Sequence, residues 1–205
     1  MNSNLENKDK FGAFAFFDLD GTVTTRDTLI DFLIFSFEGW RVVAGFLILL
    51  PVIFLYKLKV IPNWKAKEIV FTYFFRDYSV NSFKRLCQNY AMNKLSGIIK
   101  KNALDRIYWH ISKGHQVAIV SASIKDWIAP WCVTIGIDII ATEIEIKDGK
   151  LTGKFSTENC YGIEKVNRIH DKYGTLYNAM VYAYGNSKGD EEMLQTADKP
   201  FYKPF

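Results

Sequence analysis

The feature that most constrains the fold is an apolar run, Phe14 to Phe17, that ends in two acids. A short apolar run bounded by polar residues is typical of a strand buried on both faces of a sheet. Asp18 and Asp20 lie two positions apart, so an extended chain would place both carboxylates on the same side. Gly21 follows where the chain must turn. The pattern predicts a buried strand with paired acids at its carboxyl end.

Two further apolar runs repeat this arrangement. Val117 to Val120 precedes Ser121, and Met180 to Tyr184 precedes Gly185-Asn186. Between them, Ile163–Tyr173 has helical character. Alternation of strand with helix predicts an α/β fold with a parallel sheet covered on both faces. Ligands of such sheets bind beyond the carboxyl ends of the strands, where all three polar clusters should meet.

The chain divides into a predicted sheet core and an inserted helical segment. Residues 1–10 are polar and lack the apolar centre of a signal peptide, so we interpret them as a tail. Residues 28–104 are aromatic-rich and basic without strand alternation, which predicts an α-helical cap. The Rossmann-like core would comprise residues 11–27 and 105–205. A hairpin with a tight turn at Asp148-Gly149 should decorate an edge of this core.

Charge and cysteine content limit the partners and the compartment. The formal net charge is +4 and the basic residues are scattered, so we expect no nucleic-acid binding. Cys87, Cys132 and Cys160 are odd in number and show no CxxC spacing, which argues against zinc and disulfides. We therefore expect a reducing, cytoplasmic compartment and a small acidic or phosphorylated partner.

Two acids at a strand end can divide one difficult substitution at phosphorus into two steps. Asp18 could attack phosphorus while coordinating a cation, and Asp20 could protonate the leaving oxygen and then deprotonate water. An Asp-x-Asp pair alone also caps helices and binds calcium. The longer string Asp18-Leu-Asp-Gly-Thr-Val-Thr24 after an apolar run is far more specific. It resembles the first motif of the haloacid dehalogenase (HAD) superfamily.

Later segments agree with this resemblance. The second motif of the superfamily, a strand ending in a hydroxyl residue, matches Val117 to Ser121. The third, a lysine that opens a helix, matches Lys165, although Lys154 and Lys172 compete with it. The resemblance implies that the phosphoryl group is bound by Thr22, Ser121, Ala122 and Lys165. It is strongest with the phosphoserine-phosphatase-like branch, which has a helical cap between its first two motifs.

The fourth motif departs from the usual pattern. Gly-Asp followed by a second Asp is common there, whereas this chain has Gly185-Asn186 and then Asp190. The resemblance implies a Mg²⁺ ion held by Asp18, Asp20, Asn186 and Asp190. The Asn186 amide oxygen can still bind a hard cation. Because it carries no charge, we expect a lower magnesium affinity than with an acid there.

The motifs together imply a magnesium-dependent phosphatase that hydrolyses a phosphate monoester through an aspartyl-phosphate on Asp18. A dehalogenase is disfavoured, because displacement of halide has no comparable role for the proton that Asp20 supplies. An alternative from another class is a non-catalytic membrane-binding protein on a decayed phosphatase scaffold. Asn186 and an apolar stretch in the cap motivate that alternative.

This apolar stretch, Trp40 to Tyr56, is too apolar for a surface helix. Pro51 interrupts it, and the uninterrupted part would rise only about 22 Å as a helix, short of the roughly 30 Å hydrocarbon core. The interpretation that we favour is a buried hairpin in the cap or a contact with a second subunit, as in a homodimer.

The other interpretation is docking at the inner face of a membrane. The side chains expected at that interface are Trp40, Tyr56, Lys57, Lys59, Trp64, Lys65 and Lys67. Docking would suit a lipid phosphate substrate, as in phosphatidylglycerophosphatase C, which the chain also resembles in having an apolar stretch here. For a small substrate resembling phosphoserine, Arg26, Asp27 and Arg76 are candidate contacts, although surface ion pairing explains each equally well.

Overall fold

The computed structural model describes residues 12–205, so the predicted tail at residues 1–10 lies outside the described residues. The strands are β1 (Ala13–Phe17), β2 (Gln116–Ile124), β3 (Asp138–Thr142), β4 (Ile144–Lys147), β5 (Lys150–Phe155), β6 (Met180–Gly185) and β7 (Lys199–Tyr202). Five of them form one parallel sheet in the order β3-β2-β1-β6-β7. The predicted α/β fold with a parallel sheet is therefore confirmed.

The three apolar runs found in the sequence are adjacent strands of this sheet. β1 lies between β2 and β6, and Phe17 is in register with Ile119 on one side and Tyr184 on the other. All three strands run in the same direction, so the polar residues at their carboxyl ends meet at one edge. Ser121 was predicted to end its strand, but it lies within β2, which shifts register after Ser121 and continues to Ile124. This register places Asp18, and the loops after β2 and β6, around one point.

Helices cover both faces of the sheet. Alternate β1 side chains point to opposite faces, with Phe17 in one buried cluster and Phe16 in the other. The first face packs against α6 (Lys101–Ser112) and α7 (Ala129–Ile135). The second packs against α8 (Ile163–Tyr173) and α9 (Glu191–Gln195). Cys87, Cys132 and Cys160 are buried free thiols within these clusters.

The insertion between β1 and β2 is helical. Its helices are α1 (Thr28–Ser36), α2 (Gly39–Ile48), α3 (Leu50–Lys57), α4 (Asn63–Phe75) and α5 (Val80–Asn93). The predicted boundary between residues 104 and 105 falls inside α6. The division into a core of residues 11–27 and 105–205 and a cap of residues 28–104 stays a prediction, and "cap" below means residues 28–104.

Aromatic packing joins the cap to the core. Phe32 of α1 stacks on Trp127, which follows β2, with ring centroids 4.6 Å apart. Phe71, Phe75 and Phe83 surround this pair and are also fully buried. Burial of large aromatic side chains dominates core energetics, and loss of one such ring costs about 3–5 kcal/mol. The cap is therefore held over the carboxyl ends of the strands by its own apolar interior.

The hairpin β4–β5 forms as predicted, but its predicted position was wrong. Asp148-Gly149 has positive φ at both residues (51° and 72°), as a two-residue hairpin turn requires. The two strands form a separate antiparallel sheet. The Thr72 hydroxyl donates to the Gly153 carbonyl at 2.7 Å, and the Leu151 N–H donates to the Tyr78 carbonyl at 2.9 Å. The hairpin thus extends the cap, because its unpaired backbone groups find partners there.

The apolar stretch forms α2 and α3, which meet at Leu49 with a bend of 58°. Pro51 lies in the first turn of α3, where its missing N–H is tolerated. Within residues 12–205, no single helix is long and apolar enough to cross a membrane, whereas the bent pair meets those criteria together. None of the residues of α3 is buried. The prediction of a buried hairpin within the cap is therefore wrong.

Candidate active site

The loop after β1 is shaped by one glycine. A helical turn spans Leu19–Val23, and Gly21 interrupts it with φ at +79°, a conformation that L side chains rarely adopt. A Cβ on Gly21 would also lie 2.3 Å from Nδ2 of Asn186. Glycine therefore permits both the turn and the close approach of the loop after β6. This approach brings the first and fourth motifs together.

A buried lysine joins three strand ends. Lys165, near the start of α8, donates from Nζ to Oδ1 of Asp18 at 2.7 Å and to Oδ1 of Asp190 at 2.6 Å. Its third bond goes to the Val120 carbonyl of β2 at 2.8 Å. The residue is only 1% exposed, so these contacts replace its hydration. Oδ2 of Asp18 accepts a hydrogen bond from the Thr22 hydroxyl at 2.9 Å.

The cluster contains two carboxylates, Asp18 and Asp190, and one ammonium, Lys165. Burial, together with the neighbouring charge of Asp190, raises the pKa of Asp18 to about 6 against the attraction of Lys165. Burial lowers the pKa of Lys165, but the carboxylates of Asp18 and Asp190 outweigh it and the net shift is upward. Two carboxylates thus share one ammonium, and Asp18 is the one that is left less well compensated.

Asp190 is held by its own loop. Its Oδ2 accepts from the main-chain N–H groups of Asn186 and Ser187 at 3.0 and 2.9 Å and from the Ser187 hydroxyl at 2.8 Å. Although burial raises its pKa, Lys165 and these donors lower it overall. Asp190 therefore stays ionised and fixes the position of Lys165.

Asp20 is bonded to the entry of the cap. Its Oδ1 accepts from the Thr28 N–H, the first residue of α1, at 2.8 Å, and its Oδ2 accepts from the Ser123 hydroxyl. The Thr28 and Ser123 hydroxyls share a hydrogen bond of 2.8 Å, and Trp127 Nε1 donates to the Thr28 hydroxyl at 3.3 Å. Burial, with the nearby charge of Asp27, raises the pKa of Asp20. A raised pKa favours the protonated form that a general acid needs.

A cavity of about 320 Å³ opens over this cluster at the strand ends. Of the predicted site residues, those that line it are Asp18, Asp20, Ser121, Ala122, Lys165 and Asp190. Thr22 lies behind Asp18, and the side chain of Asn186 lies against Gly21, so neither lines the cavity. Of the competing lysines, Lys172 pairs with Asp138 on the surface and Lys154 lies in β5, away from Asp18.

Several lining residues were missed by the sequence analysis. Asn63 and Lys67 enter from α4, Asn159 and Tyr161 precede α8, and Ser187 and Lys188 follow β6. Lys67 had been assigned only to a membrane surface, yet its Nζ lies 3.8 Å from Oδ2 of Asp27 beside the cavity. The only sequence signal was that the insertion separates two site motifs and must therefore lie near the strand ends.

The three charged residues proposed as substrate contacts, Arg26, Asp27 and Arg76, have other partners. Oδ1 of Asp27 caps α1 by accepting from the Leu29 N–H at 2.9 Å. Arg26 pairs with Asp31 at 3.4 Å, and Arg76 lies 3.8 Å from Asp77 on the surface. None of these three residues lines the cavity. A larger cavity of about 1130 Å³ lies between α4 and β5, remote from the acids at the strand ends.

The donor set at the strand ends fits a hard cation. In residues 12–205, no three His, Cys, Asp or Glu side chains form a metal-ligand group. Magnesium does not need such a group, because it usually keeps several waters and takes one or two carboxylates together with substrate phosphate. The Asp18 carboxylate and the Asn186 amide offer oxygens of this kind. Asp18 is also left short of positive charge, which a bound cation would supply.

The chain belongs to the haloacid dehalogenase-like hydrolase family, whose model matches residues 15–195. The match includes all four motifs at the strand ends. It confirms the resemblance on which the predicted site was based.

Individual relatives are similar along most of the chain. The protein CicA of Caulobacter vibrioides (strain NA1000 / CB15N) is 29% identical over 191 residues, which cover 92% of this chain and 85% of CicA. A solved structure of a protein with unknown function from Bordetella pertussis Tohama I has a TM-score of 0.75 at 21% identity, covering 90% of this chain and 86% of that one.

A phosphoserine phosphatase, solved as a phospho-aspartyl intermediate analogue, has a TM-score of 0.59 at 17% identity and covers 91% of this chain and 83% of that one. At these identities the two solved structures concern the fold alone. The likeness to the phosphoserine-phosphatase-like branch is thereby confirmed as a likeness of fold.

Proposed function

We propose that this chain is a phosphatase that hydrolyses a phosphate monoester through an aspartyl-phosphate on Asp18. The observation that carries the proposal is the Lys165 ammonium bonded to both Asp18 and Asp190 beneath a cavity at the strand ends. A buried, fixed positive charge beside a carboxylate stabilises negative charge that gathers on a phosphoryl group in the transition state. Asp20 supports the proposal, because its raised pKa suits a proton donor.

In the first step an oxygen of Asp18 bonds to phosphorus and the bond from phosphorus to the leaving oxygen breaks. Asp20 gives its proton to that oxygen, so an alcohol leaves and Asp20 becomes a carboxylate. In the second step Asp20 takes a proton from water, whose oxygen bonds to phosphorus. The bond from phosphorus to Asp18 breaks, inorganic phosphate leaves, and both acids return to their starting states.

Ser121 would hold a phosphoryl oxygen, and Lys165 would stabilise the phosphoryl charge and donate to it in place of one of its three bonds within the chain. The Ser121 oxygen accepts a hydrogen bond from the Ser123 N–H at 3.1 Å, which leaves the Ser121 hydroxyl proton available to donate. Lys165 supplies charge, and Ala122 lines the same cavity. Thr22 would act indirectly in this arrangement, by fixing the orientation of the Asp18 carboxylate.

Magnesium is part of the proposal, with Asp18, Asp20, Asn186 and Asp190 as the residues that would hold it. Asp18 offers carboxylate oxygens at the cavity, although Lys165 and Thr22 each donate to one of them. The Asn186 amide lies on the adjoining loop against Gly21, and the carboxylate of Asp190 is bonded to Lys165 and its own loop. A bound Mg²⁺ supplies positive charge that offsets the negative charge of nucleophile and phosphoryl group. Fewer protein charges around it should make activity depend on a higher magnesium concentration.

The change Asp18→Asn tests the proposal. The variant should lose hydrolysis of p-nitrophenyl phosphate by at least about three orders of magnitude, because an amide does not replace the nucleophile. Circular dichroism and thermal unfolding should show an intact fold. Asp171→Asn, on the exposed side of α8, is the matched control and should retain activity. Retained hydrolysis in Asp18→Asn would contradict the proposal.

A lipid phosphate is a second candidate substrate, favoured by the position of the apolar helices. Asn63 and Lys67 of α4 line the cavity, and α4 follows exposed α3 after a short connection. Phosphoserine, sugar phosphates and phosphatidylglycerophosphate, each assayed with Mg²⁺ and with a chelator, separate the classes. Absence of magnesium-dependent turnover on all of them, together with binding to anionic vesicles, would favour the non-catalytic alternative.

A further inference from the structure

The bent pair of α2 and α3 presents a continuous apolar surface, which we call the outer apolar face. Its exposed members are Trp40, Val43, Leu47, Ile48, Leu50, Phe54, Leu55, Tyr56, Leu58 and Val60. Phe54 is 62% exposed and Ile48 is 61% exposed. Contiguous apolar surfaces of this kind mark sites of protein or membrane contact.

The inner side of the same pair is firmly attached to the cap. Val42, Gly45 and Leu49 are buried. A Cβ on Gly45 would lie 2.4 Å from the Phe74 ring, so α2 and α4 pack closely at this point. Phe46 also lies against Phe74, with ring centroids 6.3 Å apart. α2 is therefore held in place by the fold, and α3 projects from its end with no buried residue.

The charge around the outer apolar face is mainly basic. The acids at its borders are Glu38, which accepts from Trp40 Nε1, and Glu68 and Asp27, which pair with Lys65 and Lys67. Between Gly39 and Lys67 the chain contains no Asp or Glu. Its charged residues in that stretch are Arg41, Lys57, Lys59, Lys65 and Lys67. A basic rim around an apolar centre is complementary to an anionic lipid surface, where each lysine near the headgroups contributes to binding. Trp40 and Tyr56 are exposed at the two ends of the pair and Trp64 is exposed in the first turn of α4, and amphipathic rings of this kind favour the interface.

A second copy of the chain is a poorer occupant. In a two-fold dimer the same patch meets itself, so Lys57 and Lys59 of one copy would approach the basic residues of the other, and Glu38 beside Trp40 is the one acid that borders α2 in the sequence. The exposed side chains also surround α3, which has no buried residue, rather than forming a single stripe. A bilayer can surround a projecting helix, whereas a flat dimer interface covers one side.

We infer that the outer apolar face docks onto an anionic lipid bilayer, with α2 and α3 lying in the headgroup region and their basic residues against the phosphates. The bend of 58° and the short helices suit an interfacial position. This docking does not depend on the proposed phosphatase activity. It would hold the cavity mouth, which Asn63 and Lys67 line, near the membrane surface.

Vesicle flotation with the full chain tests the inference. We expect binding to vesicles containing phosphatidylglycerol and little binding to pure phosphatidylcholine vesicles. The double change Leu47→Glu and Phe54→Glu should reduce binding by at least about tenfold, because it places charge in the apolar contact. The double change Lys57→Gln and Lys59→Gln should reduce it about tenfold on anionic vesicles only.

Val133→Glu is the matched control, since Val133 of α7 is 77% exposed outside the outer apolar face and its change should leave binding unaltered. Unfolding curves of all variants verify that they fold. Absence of flotation by the folded wild type would overturn the inference. So would a concentration-dependent dimer, seen by analytical ultracentrifugation, that Leu47→Glu and Phe54→Glu disrupt without vesicle binding in either protein.

Discussion

At the strand ends, Lys165 is 1% exposed and bonds three oxygens of the chain, whereas Phe54 in α3 is 62% exposed. Burying a charge is costly unless partners within the fold replace its water. Exposing a large aromatic ring to water is costly as well. Within residues 12–205, the rest of the cap covers only part of α2 and α3. The charge of Lys165 is thus balanced by groups of the chain itself, whereas the outer apolar face of α2 and α3 has the character of a surface that meets something else.

The largest effect is expected for Lys165→Met, which removes the positive charge from the strand-end cluster. Asp18 and Asp190 would remain buried without their shared partner, so the free energy of unfolding should fall by about 3–5 kcal/mol. Urea denaturation measures it. Lys172→Met is the control, because its pair with Asp138 is partly exposed and such pairs contribute about 0–1 kcal/mol. Equal losses of unfolding free energy in Lys165→Met and Lys172→Met would contradict the view that the buried ion pairs stabilise the chain more than the exposed one.

Acid should also lower the free energy of unfolding through a buried histidine that bonds β6. His110 is fully buried and bonds Tyr184 Oη at 2.9 Å, and burial together with His115 and Arg106 lowers its pKa to about 3. Its neutral form is therefore favoured in the folded state. The contribution of neutral His110 to the free energy of unfolding is complete above pH 6.5. It is lost as pH falls toward 3, at up to about 1.4 kcal/mol per pH unit.

The difference between the wild type and His110→Gln isolates this effect. The raised pKa of Asp18 acts in the opposite sense, since protonation of Asp18 below pH 6 relieves a buried charge. Both proteins share that contribution. In urea denaturation, His110→Gln should lose less free energy of unfolding than the wild type between pH 6.5 and 4. His170→Gln, on the exposed side of α8, is the control and should lose as much as the wild type. Parallel curves for His110→Gln and wild type would show that His110 does not titrate in this way.

A smaller effect is expected for Asn186→Asp, which adds the missing charge near the proposed metal. The magnesium concentration for half-maximal activity should fall by about tenfold, because ligand charge tunes the affinity of hard cations. A magnesium titration of p-nitrophenyl phosphate hydrolysis measures it. Asn159→Asp, which lines the cavity elsewhere, should change this concentration much less. An unchanged or higher magnesium requirement in Asn186→Asp would count against Asn186 as a ligand.

The smallest effect on folding is expected for Phe54→Ser in the outer apolar face. This ring is exposed, so the free energy of unfolding should change by no more than about 0.5 kcal/mol. Phe75→Ala, in the buried aromatic interior of the same cap, should cost about 3–5 kcal/mol. Urea denaturation of both variants compares them. A large loss for Phe54→Ser would mean that the exposed ring stabilises the chain itself.

The core was predictable because its signals are local. The runs at Phe14 to Phe17 and Met180 to Tyr184 are short, apolar and bounded, and both became central strands. The helix Ile163–Tyr173 has the predicted bounds, and Asp148-Gly149 forms the predicted turn. Lys165 lies next to Asp18, in agreement with its choice over Lys154 and Lys172 from the resemblance and from its position at a helix start, and its role there stays a prediction.

The cap was harder to predict because its contacts are long-range. Hydrophobicity showed that the stretch from Trp40 to Tyr56 is apolar, but only the fold shows that much of it is uncovered. The hairpin pattern likewise specified pairing between β4 and β5 but not the surface that receives them. Lys67 has no motif of its own, and its place in the cavity depends on how α4 crosses the strand ends.

The bond between the Thr28 N–H and Asp20 has a consequence for how cap variants should behave. Since the first residue of α1 holds the proposed proton donor, a shift of α1 displaces that donor. Esters whose alcohol is a poor leaving group would then slow most, because they need the proton. Aryl phosphates, whose phenolate departs unaided, would slow least. Leaving-group dependence would thus distinguish a misplaced cap from a damaged nucleophile without any new structure.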